Sequence, residues 1–336
     1  MSDFIARHPV WALVVLILVG VLIFLVFAVW PPELEELIGR KRVFLNALLN
    51  GITLGGLYFM VASGFTLIFG LMRNVNLAHG SLYLLGGYIG YEIAVLTGAW
   101  VFSLIVAFVI VALVGLVLQF TIFRRMEGQD LRQTLVTIAI SIILADIMLW
   151  VWGGDFYQVP MPSWLGGPVQ LPLVTAVRSS GEVVYLQYPL VRLVIFAGAV
   201  AIGVLMWWAL NRTRIGMVIR AGVDDRDMLS ATGVRVQLVF VTVFAFGAGL
   251  AGLAGVIGGT FQSLQPGEDI KILLASLVVV IVGGMGSITG AAVGAVLIGL
   301  AEQFGSVYVP TYAVVLSFII MVVVLAVRPQ GLLRGH

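Results

Sequence analysis

The 336-residue sequence contains no cysteine, only two lysines and only three histidines. Without cysteine, the chain has no disulfide framework, no thiol nucleophile and no cysteine-ligated zinc site. Neither Lys41 nor Lys271 follows a glycine, so the G-x-x-x-x-G-K-[ST] loop that cradles nucleotide phosphates is missing. The chain therefore does not bind and hydrolyse ATP through such a loop, and any ATP-driven activity requires another protein.

Charged residues are also scarce, at 10% of the chain, whereas soluble domains contain roughly 25%. Hydrophobic residues make up 61% of the sequence. Because lipid is the environment that covers so much apolar surface, the composition predicts an integral membrane protein. The net charge of +2 is spread along the chain without the basic tract that nucleic-acid binding requires.

The apolar runs predict an all-α fold, a polytopic transmembrane helical bundle with about ten spans, some of them broken or short. A helix that crosses the bilayer needs about 20 apolar residues. The candidate spans lie at 10–30, 44–72, 80–97, 99–122, 134–152, 189–210, 236–262, 270–285, 287–304 and 307–327. The first run is longer than the apolar core of about 7–15 residues found in signal peptides, which favours a retained anchor.

The arginines predict the orientation of these spans, because short cytoplasmic loops are enriched in Lys and Arg. With the N-terminus inside, most arginines fall on the inner side and the C-terminus is also cytoplasmic. We divide the chain into an N-terminal anchor and outer linker at 1–43 and a membrane domain at 44–336. An inner loop lies at 211–235. A proline-rich outer loop lies at 153–188, and is either a docking surface or a solvated connector.

A polar box, Asn-Val-Asn-Leu-Ala-His-Gly, occupies residues 74–80 between two apolar spans. The other two histidines lie near the termini, so a buried metal cluster with His79 is not expected. In one interpretation the asparagines and a neutral His79 satisfy backbone groups where two helices meet. In the other, Asn74, Asn76, His79 and Gly80 belong to the inner mouth of a translocation path.

Three carboxylates, Glu92, Asp146 and Glu302, fall within the predicted spans, and Asp155 lies at a span boundary. Intramembrane carboxylates raise the hypothesis of proton or ion coupling, although these three form no obvious relay. We expect Asp146 to face the bundle interior and bond a neighbouring helix. Glu92 and Glu302 lie near the outer ends of their spans, where water or loop backbone satisfies them.

Small residues recur at every fourth position in two of the predicted spans. Residues four apart share a helix face, and small side chains there allow two backbones to approach closely. The two rows are Gly247, Ala251, Gly255 and Gly259, and Gly286, Gly290 and Gly294. They predict tight helix packing, and tightly packed helices that move as rigid blocks suit alternating access.

The inner loop contains the signals of a short helix at 225–232. Asp224 is placed to act as its N-cap, and Asp225 and Asp227 fall in the first turn, where negative charge is favourable. Gly233 is placed to end the helix in a left-handed conformation.

Two turns of helix are not stable alone in water, so this one must pack on something. We expect Met228 and Leu229 to be its exposed apolar residues. The helix packs either on its own membrane domain or lipid surface, or in a groove of a cytoplasmic ATPase. The residues assigned to ATPase coupling are Asp224, Asp225, Arg226, Asp227, Met228, Leu229 and Gly233.

Several blocks of the sequence resemble the LivH-type permeases of branched-chain amino acid ABC importers. The box at 76–80 matches the family's Asn-x-x-His-Gly pattern, with Leu77 in its usual aromatic position. Residues 212–234 are similar to the cytoplasmic coupling loop of the family. The stretch at 278–304 is similar to its C-terminal Gly-Gly-x-Gly-Ser block.

The resemblance implies a permease subunit that imports branched-chain or other hydrophobic amino acids across the cytoplasmic (inner) membrane. It also implies several partners, namely a second permease of the LivM type, two cytoplasmic ATPase subunits and an extracytoplasmic substrate-binding protein. ATP and Mg²⁺ would bind to the ATPases, so this chain is expected to be non-catalytic and to bind no cofactor. The alternatives are a permease for urea or short amides in the same family, and an ion-coupled secondary transporter.

Overall fold

The computed structural model describes residues 39–72, 74–126, 128–177, 182–224 and 226–333, with residue 30 and short pieces at 21, 25–26 and 34–36. The anchor predicted at 10–30 lies almost entirely outside the described residues. The chain divides into two compact units, Met1–Leu49 with Gly167–Leu190, and Asn50–Gly166 with Val191–His336. The proposed division into 1–43 and 44–336 stays a prediction.

From residue 41 onward the chain is mainly helical, because long runs of Leu, Val, Ile, Ala and Phe satisfy their backbone hydrogen bonds internally. The α-helices are α1 (Lys41–Met72), α2 (His79–Thr97), α3 (Trp100–Thr121), α4 (Asp130–Trp152), α5 (Leu190–Arg212), α6 (Arg214–Asp224), α7 (Arg226–Ala231), α8 (Val236–Phe261), α9 (Glu268–Gly283), α10 (Ile288–Tyr308) and α11 (Ala313–Val327). Short 3₁₀ turns lie at Phe123–Met126, Ser163–Leu165 and Pro310–Tyr312.

Seven helices in the described part of the chain are long and apolar enough to cross a membrane, which confirms the predicted polytopic helical fold. They are α1, α3 with its following turn, α4, α5, α8, α10, and α11 with its preceding turn. The other two predicted spans here, 80–97 and 270–285, correspond to α2 and α9. At 1.5 Å per residue the 16 residues of α9 rise about 24 Å, less than the roughly 30 Å of a hydrocarbon core. The estimate of about ten spans is therefore approximate.

Helix α8 is the packing centre of the second unit, and its most extensive contacts are with α3 and α2. Its glycines and alanines make this possible, because a small side chain lets a neighbouring backbone come close. A Cβ on Gly252, for example, would lie 2.7 Å from the Val111 side chain of α3. On the opposing side, a Cβ on Gly86 of α2 would overlap the Gly252 backbone.

The outer loop contains a β-hairpin, which the sequence analysis did not predict. Strand β1 (Pro168–Val177) pairs antiparallel with β2 (Val183–Pro189), and the register is irregular near Val174. Burial along β2 alternates, with Leu186 and Tyr188 buried and the residues between them exposed. This two-residue period in a segment rich in Val and Tyr is the pattern of a half-buried strand.

The first part of the outer loop is fixed to the end of α8. Tyr157 and Leu264 exchange two backbone hydrogen bonds, of 3.0 and 2.7 Å. Val159 N–H also donates to the carbonyl of Gly259 at 2.8 Å. This part of the loop is therefore an ordered cover over the end of α8.

Candidate functional site

The polar box forms a short non-helical segment between α1 and α2, and its asparagines are buried. Thr134 Oγ1 of α4 donates to Asn74 Oδ1 at 2.7 Å. Asn76 Oδ1 accepts from the N–H of Ala78 at 3.1 Å, so it caps the turn that leads into α2. Both side chains thus hold the chain where helical hydrogen bonding is interrupted, as the capping interpretation expects.

His79 is the first residue of α2 and is completely buried. Its Nε2 lies 3.0 Å from the carbonyl oxygen of Val61, and its ring packs edge-on against Phe65 at 5.5 Å. Val61 precedes the end of α1 by eleven residues, a rise of about 16 Å along the helix. His79 is therefore buried within the bundle, away from the end of α1, and its place in a translocation path stays a prediction.

A cluster that the sequence analysis missed lies directly after the box. Ser81 Oγ donates to Asp269 Oδ2 at 3.1 Å and lies 2.8 Å from Ser141 Oγ. Asp269 is 3% exposed and sits in the first turn of α9. We call Ser81, Ser141 and Asp269 the polar junction, because their side chains join α2, α4 and α9. A signal for it was the acidic pair Glu268–Asp269 after Pro266–Gly267, which marks a helix start.

Gly80 has a steric role at this junction. A Cβ at this position would overlap the carbonyl oxygen of Asp269 and lie 2.8 Å from the Leu273 side chain. Glycine therefore lets the start of α2 touch the start of α9. Next to this contact, Glu268 is paired with Lys271 Nζ at 2.9 Å. The side-chain atoms Asn74 Nδ2, Asn76 Nδ2 and His79 Nδ1 are buried without a hydrogen-bond partner in the described part of the chain.

The structure places most residues of the first row of small residues at helix crossings. A Cβ on Gly247 would lie 2.9 Å from the Gly64 carbonyl of α1, and one on Gly255 would overlap the Tyr83 carbonyl of α2. Gly259 faces Leu264 and Val159, and Ala251 is fully buried.

The second row divides between two situations. Gly290 and Gly294 of α10 lie against Gly283 at the end of α9. Gly286 instead precedes α10 and has a φ of 83°, a left-handed conformation that glycine adopts without strain. Its role is therefore in the turn between α9 and α10.

The inner loop is more helical than predicted. Helix α6 occupies Arg214–Asp224 and was not expected, and α7 is limited to Arg226–Ala231. Asp224 is the last residue of α6, so its assignment as the N-cap of a helix at 225–232 is wrong. Asp225 and the side chains of Asp224, Arg226 and Asp227 lie outside the described residues. Gly233 has a φ of 83° after the end of α7.

The two apolar residues of α7 differ in exposure. Met228 is 67% exposed, whereas Leu229 is only 6% exposed. A Cβ on Gly222 would lie 3.2 Å from both the Leu229 and the Leu71 side chains, so Leu229 lies where α6 meets the end of α1. The prediction that Leu229 is an exposed contact residue is wrong, because it attaches α7 to its own bundle.

The intramembrane carboxylates have separate environments. Trp152 Nε1 donates to Glu92 Oε1 at 3.0 Å, and the Tyr58 hydroxyl donates to Glu302 Oε2 at 2.7 Å. Asp146 is exposed on the surface of α4, so the prediction that it faces the interior is wrong. Among the described residues, no three His, Asp or Glu side chains converge as metal ligands would.

In the described part of the chain, seven apolar spans, together with helices packed through glycine and a polar junction, define a multi-pass membrane protein. The family model for the permease component of branched-chain amino acid transport systems matches residues 47–325, and the chain belongs to this family. This match includes the polar box, the inner loop and both rows of small residues.

Curated relatives agree with this assignment. The high-affinity branched-chain amino acid transport system permease protein LivH of Salmonella typhimurium is 28% identical over 302 residues, covering 86% of this chain and 95% of the relative. BraD of Pseudomonas aeruginosa, described in the same terms, is 28% identical over 303 residues with the same two coverages. LivM of Escherichia coli is 26% identical over 303 residues, covering 84% of this chain and 68% of the relative.

Proposed function

We propose that this chain is one of two permease subunits in an ATP-driven importer of branched-chain or other hydrophobic amino acids. The main support for the proposal is the family match over residues 47–325. Relatives named for branched-chain amino acid transport cover most of this chain, which supports the substrate class. We place the importer in the cytoplasmic membrane, with both termini cytoplasmic, as the arginine distribution indicates.

The inner loop is the proposed contact with the ATPase subunits. Ile215 and Met217 of α6 are 68% and 57% exposed, and Met228 of α7 is 67% exposed. These residues follow α5 and precede α8, so they lie between two spans and not within one. Exposed apolar side chains at this position are suited to a groove on a cytoplasmic protein.

Burial of Leu229 gives this contact a mechanical consequence. A force applied to the exposed face of α7 passes through Leu229 to Gly222 and Leu71, and so to the end of α1. Helix α1 packs on α8 at Gly64 and on α10 at Gly55. ATPase closure would therefore move packed helices together, which is the motion that alternating access requires.

The second permease is the proposed partner of the exposed face of α4. Asp146 lies six residues before Trp152, about 9 Å along the helix, among exposed Ile142, Ile143 and Ile147. A carboxylate facing lipid is costly, so intramembrane carboxylates usually face protein or a water-filled cavity. A polar group on the second permease would satisfy Asp146.

Ion-coupled transport by this chain alone is the alternative of a different class. The contacts of Glu92 with Trp152 and of Glu302 with Tyr58 hold these carboxylates in separate hydrogen bonds. They therefore supply no chain of carboxylates for a proton. A permease for urea or short amides remains the alternative within the family.

The experiment that tests the proposal replaces the exposed Met228 of α7 and leaves the buried Leu229 unchanged. We expect Met228→Asp to lower co-purification with the ATPase subunits by about tenfold, because an unpaired carboxylate in an apolar groove is unfavourable. ATP-dependent leucine uptake into proteoliposomes that contain all subunits should fall in parallel. Met161→Asp is the matched control, because Met161 is 43% exposed in the outer loop.

Two outcomes would contradict the proposal. If a Met228→Asp, Ile215→Asp double variant still bound the ATPases with unchanged affinity, the inner loop would not be the docking element. If the purified single chain transported leucine in liposomes without ATP, the chain would be a secondary transporter.

A further inference from the structure

A cavity of about 640 Å³ lies in the second unit, on the side predicted to be cytoplasmic. Its walls come from the inner half of α1, the end of α5, α6, the turn before α10 and the C-terminal segment. That segment is held in place because Leu332 N–H and Leu333 N–H donate to the carbonyls of Val282 and Gly283 at the end of α9. The volume is within the range of small-molecule sites.

Among the described residues, two arginines and no carboxylate line this cavity. Arg220 Nη1 donates to Asn211 Oδ1 at 2.9 Å, and Arg328 Nη1 donates to the Leu332 carbonyl at 3.3 Å. In the described part of the chain neither guanidinium has an acidic partner. A guanidinium carries five N–H donors, and the hydrogen bonds in the described part of the chain use one of them on each arginine.

The start of α10 adds further donors to the same cavity. Gly286, Ser287, Ile288 and Thr289 line it, so the positive end of the helix dipole faces the space. Ser287 Oγ caps the helix by accepting from the N–H of Gly290 at 3.0 Å. The hydroxyl of Thr289 lies 3.2 Å from that oxygen.

An unpartnered polar atom independently indicates a ligand. Thr66 lines the cavity from α1 and is 1% exposed, and its Oγ1 has no hydrogen-bond partner in the described part of the chain. A buried hydroxyl without a partner is unfavourable, and a ligand oxygen in the cavity would satisfy it. The other walls are apolar, with Leu67, Trp207 and Ile219 among them.

We propose that this cavity binds an organic anion, a carboxylate or phosphate attached to an apolar group, on the inner side of the membrane. Arg220 and Arg328 bind the anion together with the first turn of α10, and the apolar walls hold the remainder of the ligand. A free ammonium group finds no carboxylate among the described lining residues, so an acid without an amino group is preferred over the corresponding amino acid. The headgroup of an anionic lipid has the same chemistry.

The test uses the purified full-length chain in nanodiscs and needs neither the ATPases nor transport. One arm titrates 4-methyl-2-oxopentanoate, and a second titrates leucine, both into neutral phosphatidylcholine nanodiscs. A third arm replaces part of the phosphatidylcholine with phosphatidylglycerol. Ligand binding is followed by the rise in unfolding temperature. We expect a rise with the oxo acid, with phosphatidylglycerol, or with both, and a smaller rise with leucine.

Substitution separates the cavity from general electrostatic attraction. Arg220→Gln and Arg328→Gln should each weaken binding by about tenfold, since hydrogen bonds to charged groups are the stronger ones. Arg214→Gln is the matched control, because Arg214 lies on the same helix and does not line the cavity.

A response to the oxo acid alone identifies a soluble ligand, and a response to phosphatidylglycerol alone identifies a lipid. Equal responses in all three variants, or none in the unmodified chain, would overturn the proposal. Because transport is not measured, failure here would leave the permease assignment intact.

Discussion

Helices α8 and α4 are alike in length and apolar character, yet the protein buries one and exposes the other. Helix α8 has 26 residues and α4 has 23, and both qualify as spans. Of the most apolar window in each helix, 72% of α8 is buried inside the protein, against 17% of α4. Hydropathy alone therefore does not distinguish a central helix from a peripheral one.

The difference lies in side-chain size. Helix α8 carries glycine at points where a neighbouring helix comes close, as at Gly252 and Gly255. Helix α4 instead presents large side chains outward, with Ile142 58% and Trp150 86% exposed. Because lipid tails are as apolar as leucine, helices in a membrane associate through close packing, and small residues permit it.

The comparison of α8 with α4 predicts that the largest loss of stability comes from a substitution where α8 crosses α2. A Cβ at Gly255 would overlap the Tyr83 carbonyl and lie 2.7 Å from the Gly87 nitrogen, so Gly255→Val forces two backbones apart. We expect a loss of about 3 kcal/mol in the free energy of unfolding, measured by thermal unfolding in detergent. The matched control is Gly198→Val on α5, where a Cβ meets no atom within 4 Å. If both variants lost the same free energy of unfolding, glycine at helix crossings would not explain why α8 is buried and other helices are peripheral.

The polar junction predicts the next effect. Replacing Asp269 by Leu removes the acceptor of the Ser81 hydroxyl and a negative charge from the first turn of α9. We expect a loss of about 2 kcal/mol in the free energy of unfolding. Asp269→Asn keeps an acceptor oxygen and should lose less than half as much. An unchanged unfolding temperature for Asp269→Leu would show that the junction does not stabilise the bundle.

His79 separates the two interpretations of the polar box. As a structural residue it contributes the contacts with Val61 and Phe65, so His79→Ala should lower the free energy of unfolding by about 1–2 kcal/mol. Leucine uptake per folded transporter should stay within about twofold of normal, since most substitutions away from a binding site act through stability. Asn76→Ala is the companion variant because it removes the cap of the same turn. Normal folding with lost uptake would place His79 in the translocation path.

The sequence predicted the helical class and most spans because long apolar runs leave few alternatives in a bilayer. It did not predict that His79 packs against Val61 and Phe65, because this contact depends on how α2 packs against α1, and that is not encoded in local hydropathy. It missed Asp269 for the same reason, since Ser81 and Asp269 are 188 residues apart in sequence. Leu229 was misassigned because the sequence analysis did not predict α6, which covers it.

Substitution of Asp146 is expected to have the smallest effect on the stability of the isolated chain. Its effect on binding to the second permease tests what covers α4. Asp146→Leu should change the free energy of unfolding of the chain alone by less than about 0.5 kcal/mol, because Asp146 is exposed there. Co-purification of Asp146→Leu with the second permease should nevertheless fall, because the polar group of the partner loses its carboxylate acceptor. Asp146→Asn keeps a hydrogen-bond acceptor, so its co-purification should fall less. Ile142→Leu, on the same exposed face, serves as the control. If the Asp146→Leu variant bound the second permease as well as the unmodified chain does, lipid and not a second permease would cover α4. Helix α4 would then lie at the outer surface of the whole transporter.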